Sequence, residues 1–184
     1  MSGLRITGGT LRGRRIPVPQ HDVRPTSGRA RQAFFDIIGD AVHGCGFLDL
    51  FAGSGIFSFE AVSRGAARAV AVDESPRAMR AVALRALEWK VPVETVVSDV
   101  PSAIEALSPE QPFGVVFADP PYRYSRYGEL LRLLDGQAPL QDEALVGIEH
   151  ESGSVPFLIG ETTRLEFRKT VSYGNVAITI FDGG

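Results

Sequence analysis

From Gly46 to Glu149 the chain alternates short apolar runs with helical segments, and this alternation constrains the fold more than any other feature. Phe47 to Phe51 is apolar except for Asp49, and Ala69 to Val72, Glu94 to Val97, Phe113 to Ala118 and Ala144 to Glu149 read as four further strands. Helical stretches separate them: Gly55 to Ser63, a long one to about Lys90, one around Ser102 to Leu107, and Tyr127 to Leu134. The long one opens on Ser75-Pro76, an N-cap followed by proline at the first helical position. Strand–helix units in series demand a parallel sheet, because each crossover must return the chain to the same end. The tail differs. Arg164 to Val171 and Asn175 to Phe181 alternate in polarity and are joined through Ser172-Tyr173-Gly174, which predicts a hairpin and an antiparallel pair. The expected fold class is therefore α/β, with a seven-stranded, mostly parallel, Rossmann-like sheet and an antiparallel C-terminal hairpin.

At 184 residues the chain suits one such domain, with residues 1–25 read as a basic β-hairpin extension and linker and 26–184 as the domain proper. Leu4 to Thr7, the turn Gly8-Gly9 and Arg12 to Val18 form the expected hairpin. Pro17, Pro19 and Pro25 make an extended linker, and Thr26 is an N-cap for a helix ending near Gly39. Charge is unevenly spread. Residues 1–31 hold seven arginines against the single acid Asp22, whereas the remainder is acidic and brings the net charge to −3. A basic arm on an acidic body suits a polyanionic partner, although a merely solvated arm would look the same on charge alone. No apolar run is long enough to span a membrane, the first residues lead into basic ones rather than an apolar leader, and the lone Cys45 forms no internal disulfide. A cytoplasmic protein is expected, with no metal, since no Cys/His cluster has ligand spacing.

The unusual polar residues fall at the C-terminal ends of the parallel strands, where ligands bind in open α/β sheets. In Leu48-Asp49-Leu50-Phe51-Ala52-Gly53-Ser54-Gly55, the glycines let the backbone turn sharply and approach a ligand. A dinucleotide fingerprint would need glycine at position 58, where this chain has Ser58, which counts against a nicotinamide oxidoreductase. Asp73 ends the second strand and can accept both ribose hydroxyls; capping the helix near Ser75 explains it equally well. Asp99 ends the third strand and can accept from an adenine amino group, or cap the helix at Pro101. Asp119-Pro120-Pro121-Tyr122 ends the fourth. Two prolines remove two donors, which leaves carbonyls expected to be uncommitted. The Asp119 carboxylate and the Pro120 carbonyl can then hold both N–H bonds of an exocyclic amine, whose lone pair would point at an electrophile, while Tyr122 offers a face to an unstacked base. His21, His43 and His150 lack partners at useful spacing and are expected to be surface or packing residues. Trp89 is expected to pack.

LDLFAGSG, AVDESP and DPPY, in this order, resemble the amino-methylating class I methyltransferases, and RITGGTLRGRRIPVP with RPTSGRARQAFFDII narrows the resemblance to the RsmD family. It covers nearly the whole chain. It implies S-adenosyl-L-methionine as cofactor and methylation of the N2 amino group of one guanine in 16S ribosomal RNA of the small subunit. It further implies cofactor roles for Asp49, Phe51, Gly53, Gly55, Asp73, Asp99 and Val100, and catalytic or base-holding roles for Asp119, Pro120 and Tyr122. Arg24 and Thr26 would sit at the active-site mouth with Arg29 and Arg31 nearby, and Arg12, Arg14 and Arg15 at the hairpin tip would grip RNA. Gln32 stands where the family often has Glu. A monomer acting on rRNA or a small-subunit particle, without metal, is the expectation. Adenine-N6 methylation of nucleic acid and glutamine methylation of protein use similar motifs; the basic arm favours nucleic acid, and the RPT segment favours ribosomal RNA. A non-catalytic RNA-binding protein is the remaining alternative.

Overall fold

The computed structural model describes residues 3–17, 27–121, 123–153 and 162–184. Two short strands, β1 (Gly3–Arg5) and β2 (Arg15–Pro17), precede α1 (Ser27–Ile38), which runs into a 3-10 turn at Gly39–Val42. There follow β3 (Gly46–Leu50), α2 (Ile56–Ser63), β4 (Arg68–Asp73), α3 (Pro76–Trp89) and β5 (Val93–Val97). After these come α4 (Val100–Ala106), β6 (Phe113–Ala118), α5 (Tyr127–Gly136), β7 (Leu140–Glu151), β8 (Leu165–Tyr173) and β9 (Val176–Gly183). The large sheet has the order β5-β4-β3-β6-β7-β9-β8. β3 to β7 are parallel, and β9 lies antiparallel between β7 and β8. The expected parallel sheet with an antiparallel tail is the one that forms. Successive strands move outward from β3 to β5 and then resume on β3's other side with β6, so the chain reverses between β3 and β6.

The strand pattern follows burial. β3 and β6 are buried at every residue, which is why they read as continuous apolar runs. β7 is longer than its apolar stretch, because Gln141, Asp142 and Glu143 are exposed and Glu143 sits at φ +60 where the register with β6 shifts. The tail turn is tighter than the sequence suggested. Tyr173 pairs with Val176, which leaves Gly174 (φ +64) and Asn175 as a two-residue turn. In α3 the expected cap is present: the Ser75 hydroxyl accepts from the Ala78 N–H, and Pro76 follows.

α2 explains the N-terminal arm. Every α2 residue but Val62 is buried, so the helix needs cover on all sides. The sheet covers one side and Phe34 and Phe35 of α1 meet Phe57. Ile6, Leu11 and Ile16 of the arm complete the same core cluster. Gly8-Gly9 is not the two-residue hairpin turn expected from the sequence. β1 and β2 pair Gly3 with Pro17 and Arg5 with Arg15, and the intervening segment folds down onto the end of α2. The Thr10 N–H donates to the Ser63 carbonyl (2.8 Å), the Leu11 N–H donates to the Ser63 hydroxyl (2.8 Å), and that hydroxyl donates to the Gly8 carbonyl (2.6 Å). Gly9 lies at φ +71, and a Cβ there would stand 1.7 Å from the Ser63 oxygen. No helix among the described residues is long and apolar enough to cross a membrane.

Gly9→Ala should therefore lift the arm from α2 and destabilise the protein by about 1–3 kcal/mol, the usual range for overpacking. Thermal unfolding together with amide exchange at residues 10 and 11 checks this; wild-type protection at both amides would contradict it.

Candidate active site

Open α/β sheets bind ligands where the strand order reverses, just beyond the strands' C-terminal ends. Here that point is the crevice between β3 and β6. The Asp119 N–H donates to the Leu50 carbonyl (3.2 Å), and the Ala52 N–H donates to the Val72 carbonyl (2.9 Å), so the loops after β3, β4 and β6 are tied edge to edge.

The two glycines of the first loop do different work. Gly53 (φ +51) has open space where a Cβ would stand, as a ligand-facing backbone requires. At Gly55 (φ +71) a Cβ would meet Val82 at 2.9 Å, so its bareness serves the packing of α2 against α3 rather than a ligand's approach. Phe51 also adopts a left-handed conformation, at φ +60, which is rare for an aromatic residue. No local pattern in the chain announces it.

Asp49, expected to have a cofactor role, is 2 % exposed, and one of its oxygens accepts from both the Ser58 N–H (2.9 Å) and the Ser58 hydroxyl (2.6 Å). It thus holds the first turn of α2 on the glycine loop. Ser58, noted in the sequence only as a missing glycine, is its partner. Burial pushes the Asp49 carboxyl up to about 7; the Ser58 hydrogen bonds oppose this, and the negative charges of Asp119 and Asp73 add to it. Three carboxylates therefore share the crevice, and their common field suits a cation.

Asp73 accepts from the Gly53 N–H (2.9 Å) and, through its other oxygen, from the Ser75 N–H (2.8 Å). It orders both the glycine loop and the start of α3 while remaining partly exposed, and a carboxylate has further acceptor sites for ribose hydroxyls. The helix cap itself is Ser75. Asp99 is the N-cap of α4, accepting from the Ser102 N–H (2.9 Å), and these bonds hold its carboxyl below the ordinary range. Its side chain is exposed, and Val100 is buried in the core beneath.

Pro120 is buried and Pro121 exposed. The Pro121 carbonyl, expected to be uncommitted, accepts from the Tyr124 N–H (2.7 Å), which closes a tight turn after Asp119. Tyr122, Arg24 and Thr26 lie outside the described residues. Behind the turn runs an aromatic series that the sequence reading missed. Phe51 meets Tyr124 edge to face (5.4 Å between centroids), Tyr124 meets Tyr127 (5.1 Å) and Tyr127 meets His150 (6.4 Å). His150 is buried, with Nε2 2.8 Å from the Thr179 hydroxyl, a packing role as expected.

The arginines divide sharply. Arg12, Arg14, Arg15 and Arg29 are exposed. Arg31 is not available to RNA: it is 1 % exposed, its Nη2 donates to the Arg5 carbonyl (2.7 Å), and its Nε lies 3.4 Å from Glu60. Burial lowers its pKa and the Glu60 charge opposes that, so the pair is structural. Among the described residues no three His, Cys, Asp or Glu side chains gather as metal ligands.

A parallel sheet reversing at β3/β6, an antiparallel tail, and a glycine loop, two acids and an Asp-Pro-Pro turn on successive strand ends define a class I methyltransferase. Residues 4–182 match the family model described as Conserved hypothetical protein 95. Ribosomal RNA small subunit methyltransferase D of Escherichia coli K12 is 35% identical over 150 residues, which is 80% of this chain and 75% of that protein. The protein of the same name from Haemophilus influenzae is 31% identical over 179 residues, covering 92% and 91%. Of solved structures, Escherichia coli yhhF superposes with a TM-score of 0.85 at 30% identity, covering 99% of this chain and 98% of that one. The chain belongs to the RsmD family of class I methyltransferases, whose cofactor is S-adenosylmethionine.

Because the folded-state value of Asp49 is raised, ionising it costs stability. That cost appears as pH rises from the ordinary carboxylate value of about 4 and is complete above about 7. A cationic cofactor reverses the preference. S-adenosylmethionine affinity should therefore rise through pH 7 with proton release on binding, and Asp49→Asn should flatten both. Calorimetry in buffers of different ionisation enthalpy measures this.

Proposed function

We propose that this chain transfers a methyl group from S-adenosylmethionine to the exocyclic N2 amino group of a guanine in 16S ribosomal RNA, of the guanine-966 type. One observation carries the reading. The Asp119-Pro120 turn is hydrogen-bonded to the end of β3, so a base-holding loop and a cofactor loop lie side by side at the reversal point. When bound, the cofactor's sulfonium supplies an electrophilic methyl carbon. Gly53 admits the ligand's close approach, Asp73 takes the ribose hydroxyls and Asp99 the adenine amino group. Phe51 walls the pocket, Val100 supports Asp99 from the core beneath, and Asp49 keeps the loop in shape and contributes negative potential. A guanine amino group is a poor nucleophile because its lone pair is delocalised into the ring. The Asp119 carboxylate and the Pro120 carbonyl accept its two N–H bonds and favour a pyramidal nitrogen, whose lone pair then faces the methyl carbon. A carboxylate hydrogen-bonded to the amine is also placed to receive the proton it sheds. Acceleration comes from positioning and fixed acceptors, with no covalent enzyme intermediate. Tyr122 supplies a stacking face for the extruded base. The substrate is rRNA or a small-subunit particle, held by the exposed arm arginines of a cytoplasmic monomer, and its RNA character is supported by the names of the RsmD relatives.

Asp119→Ala should cut methyl transfer by roughly 10²–10³-fold while weakening cofactor binding far less, since Asp49 and Asp73 keep the crevice's negative field. Labelled-methyl transfer to small-subunit RNA, followed by nucleotide mapping, measures this. Label on adenine N6 or on protein would replace the guanine reading. Arg12→Gln/Arg14→Gln/Arg15→Gln should weaken RNA binding and flatten its dependence on salt without touching the cofactor. An unchanged slope would refute the arm's role.

A further inference from the structure

The tip of the arm and the candidate active site lie at opposite ends of the same helices. α2 begins beside Gly55 in the glycine loop and ends at Ser63, where Thr10 and Leu11 dock, about 12 Å away at the rise of an α-helix. α3 begins just past Asp73 and ends at Trp89, about 20 Å away, where the Arg14 guanidinium lies over the indole ring (5.1 Å). An RNA held at Arg12 and Arg14 with its target base at Asp119 must cross that distance.

α3 spans that distance and is cationic. It carries Arg77, Arg80 and Arg85 against the single acid Glu88, and Arg77 and Arg80 are exposed. Arg85 lies over the same Trp89 ring (5.4 Å) as Arg14, and Trp89 is seated edge-on against Phe59 (5.1 Å). Two guanidiniums thus converge on one aromatic ring. The ring's negative face offsets part of their repulsion, Glu88 at 3.3 Å from Arg85 Nη1 offsets another part, and a phosphate would offset the rest. The Arg85 Nε is buried with no hydrogen-bond partner among the described residues. The docking of the arm fixes Arg14 beside the C-terminal end of α3, where it meets Arg85 at the Trp89 ring.

We propose that the RNA backbone runs along α3, bound by Arg77, Arg80 and Arg85, and joins the arm at the Arg14–Trp89–Arg85 cluster. This rests on the RNA-methylating function proposed above and adds a second contact surface to it. Charge balance along the chain points to residues 1–31 alone, and α3 extends that cationic footprint.

The test uses Arg80→Gln/Arg85→Gln, two side chains outside the catalytic and cofactor machinery, in the full chain. Binding of a small-subunit rRNA fragment is titrated at several salt concentrations, and cofactor binding is measured in parallel. Each lost phosphate contact should reduce the slope of log affinity against log salt by about 0.7–0.9, so the double variant should lose roughly 1.5. The RNA KM should rise while kcat at saturating RNA and cofactor affinity hold. Arg80→Lys/Arg85→Lys should recover the slope. A wild-type slope in the Gln variant overturns the proposal, as does weakening seen only with ribosomal particles and not with naked RNA, which would make the partner a protein. If the arm variant flattens the slope and the α3 variant does not, only this inference falls. If the wild-type protein methylates no RNA, the underlying function falls instead.

Discussion

Glu60 is the interaction on which the arrangement rests. It is a fully buried carboxylate on a helix with no solvent face. Its oxygens accept from the Thr7 N–H (2.9 Å) and hydroxyl (2.7 Å), the Gly8 N–H (2.8 Å) and the Arg64 Nε (2.9 Å), while Arg31 closes in at 3.4 Å. One side chain therefore fastens the arm, α1 and α2 together. A buried charge is tolerable only when fully surrounded by partners, and removing one member of such a set typically costs about 3–5 kcal/mol. The basic arm is thus a layer of the structure whose outer arginines face solvent and whose inner residues are committed to Glu60 and the core.

The same division between inner and outer roles explains what was legible in the sequence. The alternation of apolar runs and helices fixed the sheet, and Ser75-Pro76 fixed the start of α3, because both signals are local. Phe113 to Ala118 could be read to the residue. The polar residues at strand ends pointed to the crevice for the same reason: a carboxylate just after a buried strand has few other places to be.

What could not be read depends on contacts far apart in the chain. Arg31 looked like its exposed neighbour Arg29, and only Glu60, 29 positions later, makes it a core residue. Gly8-Gly9 looked like a hairpin turn because turns are the local reason for paired glycines; the real reason is the carbonyl of Ser63. Ser58 reads as a broken dinucleotide motif until Asp49 is seen to need it. The left-handed Phe51 and the Tyr124–Tyr127 series carry no period or spacing that would announce them.

The all-round burial of α2 bears on how the protein is made. The arm that covers α2 is synthesised some fifty residues earlier, so it must wait for its partner and close a long loop before it is of use. A shortened chain beginning at α1 would keep every strand of the large sheet yet leave a greasy helix facing water, and such surfaces promote aggregation. What resembles a detachable RNA-binding appendage is, for solubility, the lid of the box.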